Sequence, residues 1–205
     1  MSKSVKITLI VIAFLILGTL MHFGAFSNLP FIQNFHENAV LTINTRRGTS
    51  NVYLDGKDYG QTPTSITNLS QGNYNVELEK ITEGDGIYPT QSFYIELYRG
   101  TEAVIDVEIG PDNFKSGHVL FYSPTPVTFG QKGSISIRSN TSDYELFINN
   151  ERINEDRVIS YRLEPDEYDL RVTSQGYESL EFPVIVRDGY DLNIRVYLLP
   201  IPIAF

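Results

Sequence analysis

Val52-Tyr53-Leu54-Asp55-Gly56, followed by Gly60 and by Thr62-Pro63, is the stretch on which the reading of this chain turns. An apolar triplet runs into Asp-Gly, two residues that tolerate the positive φ angles of a tight hairpin turn. The pattern recurs, degraded, 94 positions further on. Val52, Tyr53 and Leu54 become Leu146, Phe147 and Ile148, and Asp55-Gly56 becomes Asn149-Asn150. Leu69 becomes Leu163, and Tyr74 becomes Tyr168. The register holds without a gap from Leu41 to Leu78. Phe93 to Pro111 then maps onto Phe182 to Pro200 at an offset of 89, and the change falls in a loop containing Gly84-Asp85-Gly86. Insertions belong in loops, so the shift supports the alignment. Two β units of one design are expected, at residues 39–111 and 133–200.

The strands are legible from alternation. Val40-Leu41-Thr42-Ile43-Asn44 has the period of two of a half-buried strand, and so does Tyr74-Asn75-Val76-Glu77-Leu78, with Tyr74, Val76 and Leu78 inward. Phe93 to Leu97 and Ala103 to Ile109 read as two more, joined by a turn at Arg99-Gly100. The second unit repeats the order through Ser134–Arg138, Glu145–Ile148, Glu167–Val172, Phe182–Val186 and Leu192–Leu198. Gly60 permits an unusual backbone angle, Pro63 fixes the next φ, and Leu69 plugs the core beneath a turn at Gln71-Gly72. No stretch after residue 40 keeps helical periodicity. The expected fold is all-β: two tandem small β-sandwich domains after one N-terminal transmembrane helix.

On these residues the first unit resembles a PEGA domain, a small all-β module of bacterial and archaeal exported and surface-associated proteins. Val52 to Gly56, Gly60, Thr62-Pro63, Leu69, Gly72 and Tyr74 carry the resemblance. The tetrad that names the family is replaced by Arg46-Arg47-Gly48-Thr49. The second unit keeps the apolar skeleton but has Asn149-Asn150, Asn154 and Asp156-Arg157 in place of the signature, as a divergent copy would. The resemblance implies a β-sandwich and a non-catalytic role, with Asp55, Gly56, Gly60, Thr62, Pro63 and Gly72 as its structural motif. It implies no specific ligand.

Residues 1–6 carry Lys3 and Lys6, and the run 7–26 that follows has no Asp, Glu, Lys or Arg. About 20 apolar residues suffice to cross a bilayer as a helix. The lysines favour a cytoplasmic N-terminus, which puts everything after Phe26 outside the membrane. A signal peptide cleaved near Ser27, releasing a secreted protein, is the competing reading. Residues 27–38 form a connector. Residues 112–132 form an apolar linker containing Pro124 and Pro126, of which part is expected to pack on one or both domains. Residues 201–205 form an apolar tail.

The formal charge is −9. Residues 39–111 hold 5 Lys/Arg against 10 Asp/Glu, and residues 133–200 hold 7 against 13. Two acidic domains lack the basic surface that tracks nucleic-acid phosphates. There is no cysteine, and His22, His36 and His118 all lie outside the two repeats. A Ser-His-Asp or Cys-His centre, a zinc site and a phosphate-binding Gly-rich loop are therefore not expected. No metal and no cofactor are expected, and the acids near Asp55-Asp58 and Asp166–Asp169 read as turn residues.

The resemblance, together with the apolar run 7–26, implies a non-catalytic, membrane-anchored binding or structural module of the cell envelope, its partner a wall polymer, a surface-layer protein or another envelope protein. An accessory or sensor subunit of a membrane complex is the alternative, and a carboxylate-based hydrolase the last. Tyr59, Tyr88, Tyr98, Tyr177 and Tyr190 fall in or beside turns and are candidates for a binding surface. Filling the ends of the sandwich is the competing role for them. Tyr53, Tyr74, Phe147 and Tyr168, at matched repeat positions, are expected in the cores.

Overall fold

A computed structural model of the chain describes residues 38–82, 88–125, 132–155 and 157–202. The apolar segment 7–26, the connector up to residue 37 and the tail beyond residue 202 lie outside the described residues. The strands β1 (Ala39–Thr45), β2 (Ser50–Leu54), β3 (Lys57–Gln61), β4 (Thr64–Leu69), β5 (Gly72–Lys80), β6 (Gln91–Leu97) and β7 (Glu102–Ile109) come first. β8 (Lys115–Pro124) follows. Then come β9 (Gly133–Ser139), β10 (Tyr144–Ile148), β11 (Glu151–Ile153), β12 (Tyr161–Leu163), β13 (Glu167–Ser174), β14 (Leu180–Ile185) and β15 (Tyr190–Tyr197). The architecture is all-β among the described residues.

The Asp-Gly turn forms as its chemistry requires. Asp55 and Gly56 take φ of 50° and 78° and join β2 to β3 through a two-residue loop. Asn149 and Asn150 take 49° and 67° between β10 and β11. In each case the turn side chain accepts a backbone N–H from the neighbouring strand: Asn75 N to Asp55 Oδ1 at 2.8 Å, Asp169 N to Asn149 Oδ1 at 2.9 Å. Asn is thus a working substitute for Asp-Gly, since its short side chain tolerates positive φ and bonds its own backbone. Gly60, with φ of 86°, donates its N–H to Asp58, and Thr62 Oγ1 accepts the buried Ser50 N–H at 3.0 Å. The Thr62–Pro63 bond is cis, and Gly72 opens β5.

The same coincidence runs through the pairings. Leu54 faces Val76 as Ile148 faces Leu170. Tyr74 faces Ile95 as Tyr168 faces Val184. Val40 faces Glu102, in parallel, as Ser134 faces Asp191. Both tyrosines bond a carbonyl four residues upstream, Tyr74 at Ser70 and Tyr168 at Glu164.

Part of the linker packs on both halves, and it does so as a strand. Residues 115–124 form β8, the central strand of a seven-stranded sheet in the order β12-β9-β15-β8-β7-β1-β4. Two four-stranded sheets, β3-β2-β5-β6 and β11-β10-β13-β14, complete the described residues. The expectation of two separate sandwiches gives way to two halves that share one layer. From residue 38 onward the described residues accordingly form one compact unit.

Strand directions explain where the small sheets sit. β1, β7, β15 and β9 run parallel, and β8 runs against its two neighbours. The order is mirrored about β8 while directions are kept. Only a half-turn about β8 does both, and it carries a sheet on one face to the opposite face. Burial agrees. Val119 and Phe121 of β8 join the first core with Leu41, Ile105 and Leu78. Leu120 and Tyr122 join the second with Ile135, Ile194 and Leu170. Successive side chains of a strand point to opposite faces, so β8 serves both cores at once. Gly117, at φ 131°, lets β8 approach β7: a Cβ there would lie 2.1 Å from the Asp106 carbonyl oxygen.

Two expectations for the aromatic residues need correction. Tyr53 and Phe147 belong to neither core. They alternate with Val52, Leu54, Leu146 and Ile148, which are buried, and so face outward. Tyr53 bonds Glu79, and the Arg171 guanidinium lies 4.1 Å from the Phe147 ring. Tyr74 and Tyr168 do pack on their cores.

Candidate functional site

The half-turn leaves part of the seven-stranded sheet uncovered. The small sheet of the first half stands over β7 and β8 on one face. Beyond its edge strand β6, no described strand forms a second layer over Asp191 and Asn193 of β15 or Ser136 and Arg138 of β9. The step between them is an open groove of about 1260 Å³.

Its floor is polar because β9 and β15 alternate. Ile135, Ile137, Leu192 and Ile194 point into the second core, which sends Ser136, Arg138, Asp191, Asn193 and Arg195 to the other face. Asp191 accepts both Ser134 Oγ at 2.6 Å and Ser136 Oγ at 2.7 Å. Ser136 Oγ in turn accepts the Ser160 N–H. Asn193 donates to Ser123 Oγ of β8 at 2.5 Å. Arg195 donates to the Tyr94 carbonyl at 2.6 Å while its guanidinium lies 5.2 Å from the Phe121 ring, tying the floor to the edge of β6.

The walls differ. On one side stand Tyr94 and Glu96 of β6, with Asn75 and Asp55 behind them. Tyr94 is 67% exposed. On the other stand Tyr144, Arg157 and Ile159, the last 68% exposed. Tyr144 OH donates to the Ile137 carbonyl, and burial raises its phenol pKa. Each groove carboxylate is already engaged: Asp55 by the Asn75 N–H, Glu96 by Tyr98 OH at 2.7 Å, Asp191 by two hydroxyls. That bond to Glu96 is the main cause of a raised Tyr98 pKa. Arg138 and Arg157 have no ion-pair partner among the described residues.

Among the described residues no histidine lines the groove. His118 points to the opposite face, stacked on Phe182 with ring centroids 4.1 Å apart. Burial there lowers its pKa to about 4. Among the described residues no group of three or more His, Cys, Asp or Glu gathers as a metal site would require.

The five turn tyrosines do not come together. Tyr59 and Tyr88 pack against the first core, with Lys57 and Lys80 over their rings at 4.9 and 4.2 Å. Tyr177 and Tyr190 pack against the second, Tyr190 edge-on to Tyr122. None of the five lines the groove. Tyr94, Arg138 and Arg195, which do, read in the sequence as the solvated face of ordinary strands. Their only signal was outward alternation, and their convergence depends on β8 entering the sheet.

No curated protein matches the chain. Among solved structures, "The Bacillus anthracis TIE protein" is similar at 15% identity over 81% of this chain, with a TM-score of 0.28. The chain spans 34% of that structure's length, and the likeness is too slight to carry over fold or function. The PEGA domain family matches residues 38–111, from the residue before β1 to just past β7, and the remainder of the chain is unassigned. Residues 38–111 form a PEGA domain.

Proposed function

We propose that this chain is an exported, non-catalytic binding module of the cell envelope, held at the membrane by residues 7–26, and that the groove beside β6 is its binding surface. The alternative origin, secretion after cleavage near Ser27, leaves the same module free. The second half is a divergent copy of the PEGA domain in this reading. The support is the pairing-by-pairing coincidence of the halves, down to the bonds made by Asp55 and Asn149. The run 7–26 without a charged residue, behind two lysines, supports export.

The observation that carries the reading is the groove itself. A strip of sheet beyond β6 is left without a second layer and furnished with guanidinium, amide and hydroxyl groups. Its acids already accept bonds from this chain and no histidine is among its described lining residues, which supports a binding role. A wall polymer or an envelope protein is the partner.

The chain has no cysteine, which makes export simple to test. A single Ser142→Cys, at the exposed rim of the groove, reacts with a membrane-impermeant maleimide on intact cells if the module is displayed outside. Labelling only after lysis would overturn the assignment. Sedimentation of the detergent-solubilised full chain with purified wall polymer, and its capture of solubilised envelope proteins, then separates wall-binding module from accessory subunit. Activity lost on substituting a groove carboxylate would favour an enzyme instead.

A further inference from the structure

Resting on the groove as the binding surface, we propose that its ligand is a carboxylate-bearing polysaccharide, one whose acidic sugars alternate with uncharged ones. The unspent bonding capacity of the groove is cationic. Asp55, Glu96 and Asp191 already accept bonds from this chain, while Arg138 and Arg157 are exposed and carry no ion pair among the described residues. A planar guanidinium presents paired donors that match a carboxylate in a bidentate fashion. In a chain of charge −9, two arginines on one groove with no ion pair among the described residues stand out from the acidic background.

The rest of the lining selects among anions. Three arginines face three acids across the lining, so the groove as a whole is close to neutral. A charge-dense polyphosphate would meet those acids as often as the arginines. A polymer with carboxylates spaced by neutral sugars meets arginines and hydroxyl or amide groups in turn. The two most exposed large apolar side chains of the described residues, Tyr94 and Ile159, both stand in this lining. An exposed aromatic face beside hydrogen-bonding groups suits the C–H face of a sugar ring, and exposing it to water alone gains nothing.

The first half shows what the corresponding face looks like when it is closed. Asp106 stands where the second half has Arg195, and Arg46 holds it at 3.3 Å. Val104 stands where Asn193 does and packs against the second core. Pro183 stands where Tyr94 does. Among the described residues the groove with its arginines and exposed tyrosine therefore belongs to one side only, and it is not a by-product of the repeat.

The test uses the full chain in detergent with labelled oligosaccharides of equal length: a hyaluronate-type alternating uronate, a neutral glucan and a polyglycerol phosphate. The uronate is expected to bind, to weaken with added salt, and to weaken about tenfold in each of Arg138→Gln, Arg157→Gln and Tyr94→Ala. Arg152→Gln removes an exposed arginine outside the groove and leaves binding unchanged. Equal binding of the neutral glucan, or tighter binding of the polyglycerol phosphate, would overturn the ligand class and leave the groove as the binding surface. Uronate binding indifferent to all three substitutions would overturn the groove itself. Binding of none of the three, with a folded chain by circular dichroism, overturns the polysaccharide.

Discussion

At the scale of single residues, the informative positions are those where the backbone restricts the choice of side chain. Asp55 and Asn149 both hold positive φ and both cap a strand N–H through their own side chain. Asn149→Ala loses that bond and with it the side-chain hydrogen bonding that lets Asn tolerate the left-handed region, a cost of about 2 kcal/mol in all. Asn149→Asp is expected to be near neutral, and Asn149→Gly to cost less than alanine because glycine relieves the backbone term. Chemical denaturation of the three variants checks the order; equal losses for alanine and glycine would mean the backbone angle is immaterial. These turns were legible in the sequence because few residues tolerate the angle. His118 was not. It preceded an apolar run in what read as a linker, yet it is buried, with Asp106 and Arg46 as its charged neighbours and no partner for its Nδ1 among the described residues. Burial lowers its pKa to about 4 against an unfolded value of 6.5, so the unfolded chain takes up the proton first as pH falls. Stability present above pH 6.5 is lost progressively down to about pH 4 and then levels, by up to about 3 kcal/mol. His118→Phe, which keeps an aromatic ring on Phe182, should show a shallower fall in melting temperature between pH 7 and pH 4.5. An unchanged slope would assign the acid sensitivity to other groups.

At the scale of elements, β8 decides the structure, and it is the element whose sequence was misread. Val119-Leu120-Phe121-Tyr122 has no alternation, and a strand covered on both faces has none to show. The same run between Gly117 and two prolines reads equally well as a packed connector. Its apolar character was legible; its pairing was not, because pairing is fixed by β7 and β15, strands far apart in the chain. The misreading also hid the groove, since β6 faces β15 only when β8 lies between the halves. Gly117 is where this element is most constrained. A Cβ would meet the Asp106 carbonyl oxygen at 2.1 Å and the Val107 Cα at 2.8 Å, and neither backbone atom can yield without moving β7. Gly117→Ala is expected to cost about 3 kcal/mol or more, read as a fall in melting temperature of about 6–12 °C for a unit of this size. Gly176→Ala, at a positive φ with open space around it, bears only the backbone strain and falls less. Limited proteolysis gives a second check. Residues 117–124 should resist cleavage as long as the fold holds, and nicking there at the rate of an exposed loop would contradict a central strand.

At the scale of the whole molecule, the half-turn about β8 makes the two halves one cooperative body. Each half is about 70 residues, a size at which a single core is barely sufficient. Neither core closes without β8: the first takes Val119 and Phe121, the second Leu120 and Tyr122. Burying side chains of this kind contributes about 1.5–3 kcal/mol each, so removing two from one core costs about 3–6 kcal/mol. That is comparable to the entire stability of a small domain, about 5–15 kcal/mol. Removing β8 also strips β7 of its antiparallel partner from Val104 to Ile109 and leaves a bare edge. The boundary of the PEGA match, residue 111, therefore does not mark the end of a folding unit. Residues 38–111 alone should be unfolded or aggregated, whereas residues 38–124 recover the first core. Residues 38–202 should melt in a single calorimetric transition whose van't Hoff and calorimetric enthalpies agree. Two resolved transitions, or a fragment 38–111 as stable as 38–124, would show that the halves fold independently and that β8 only rests between them.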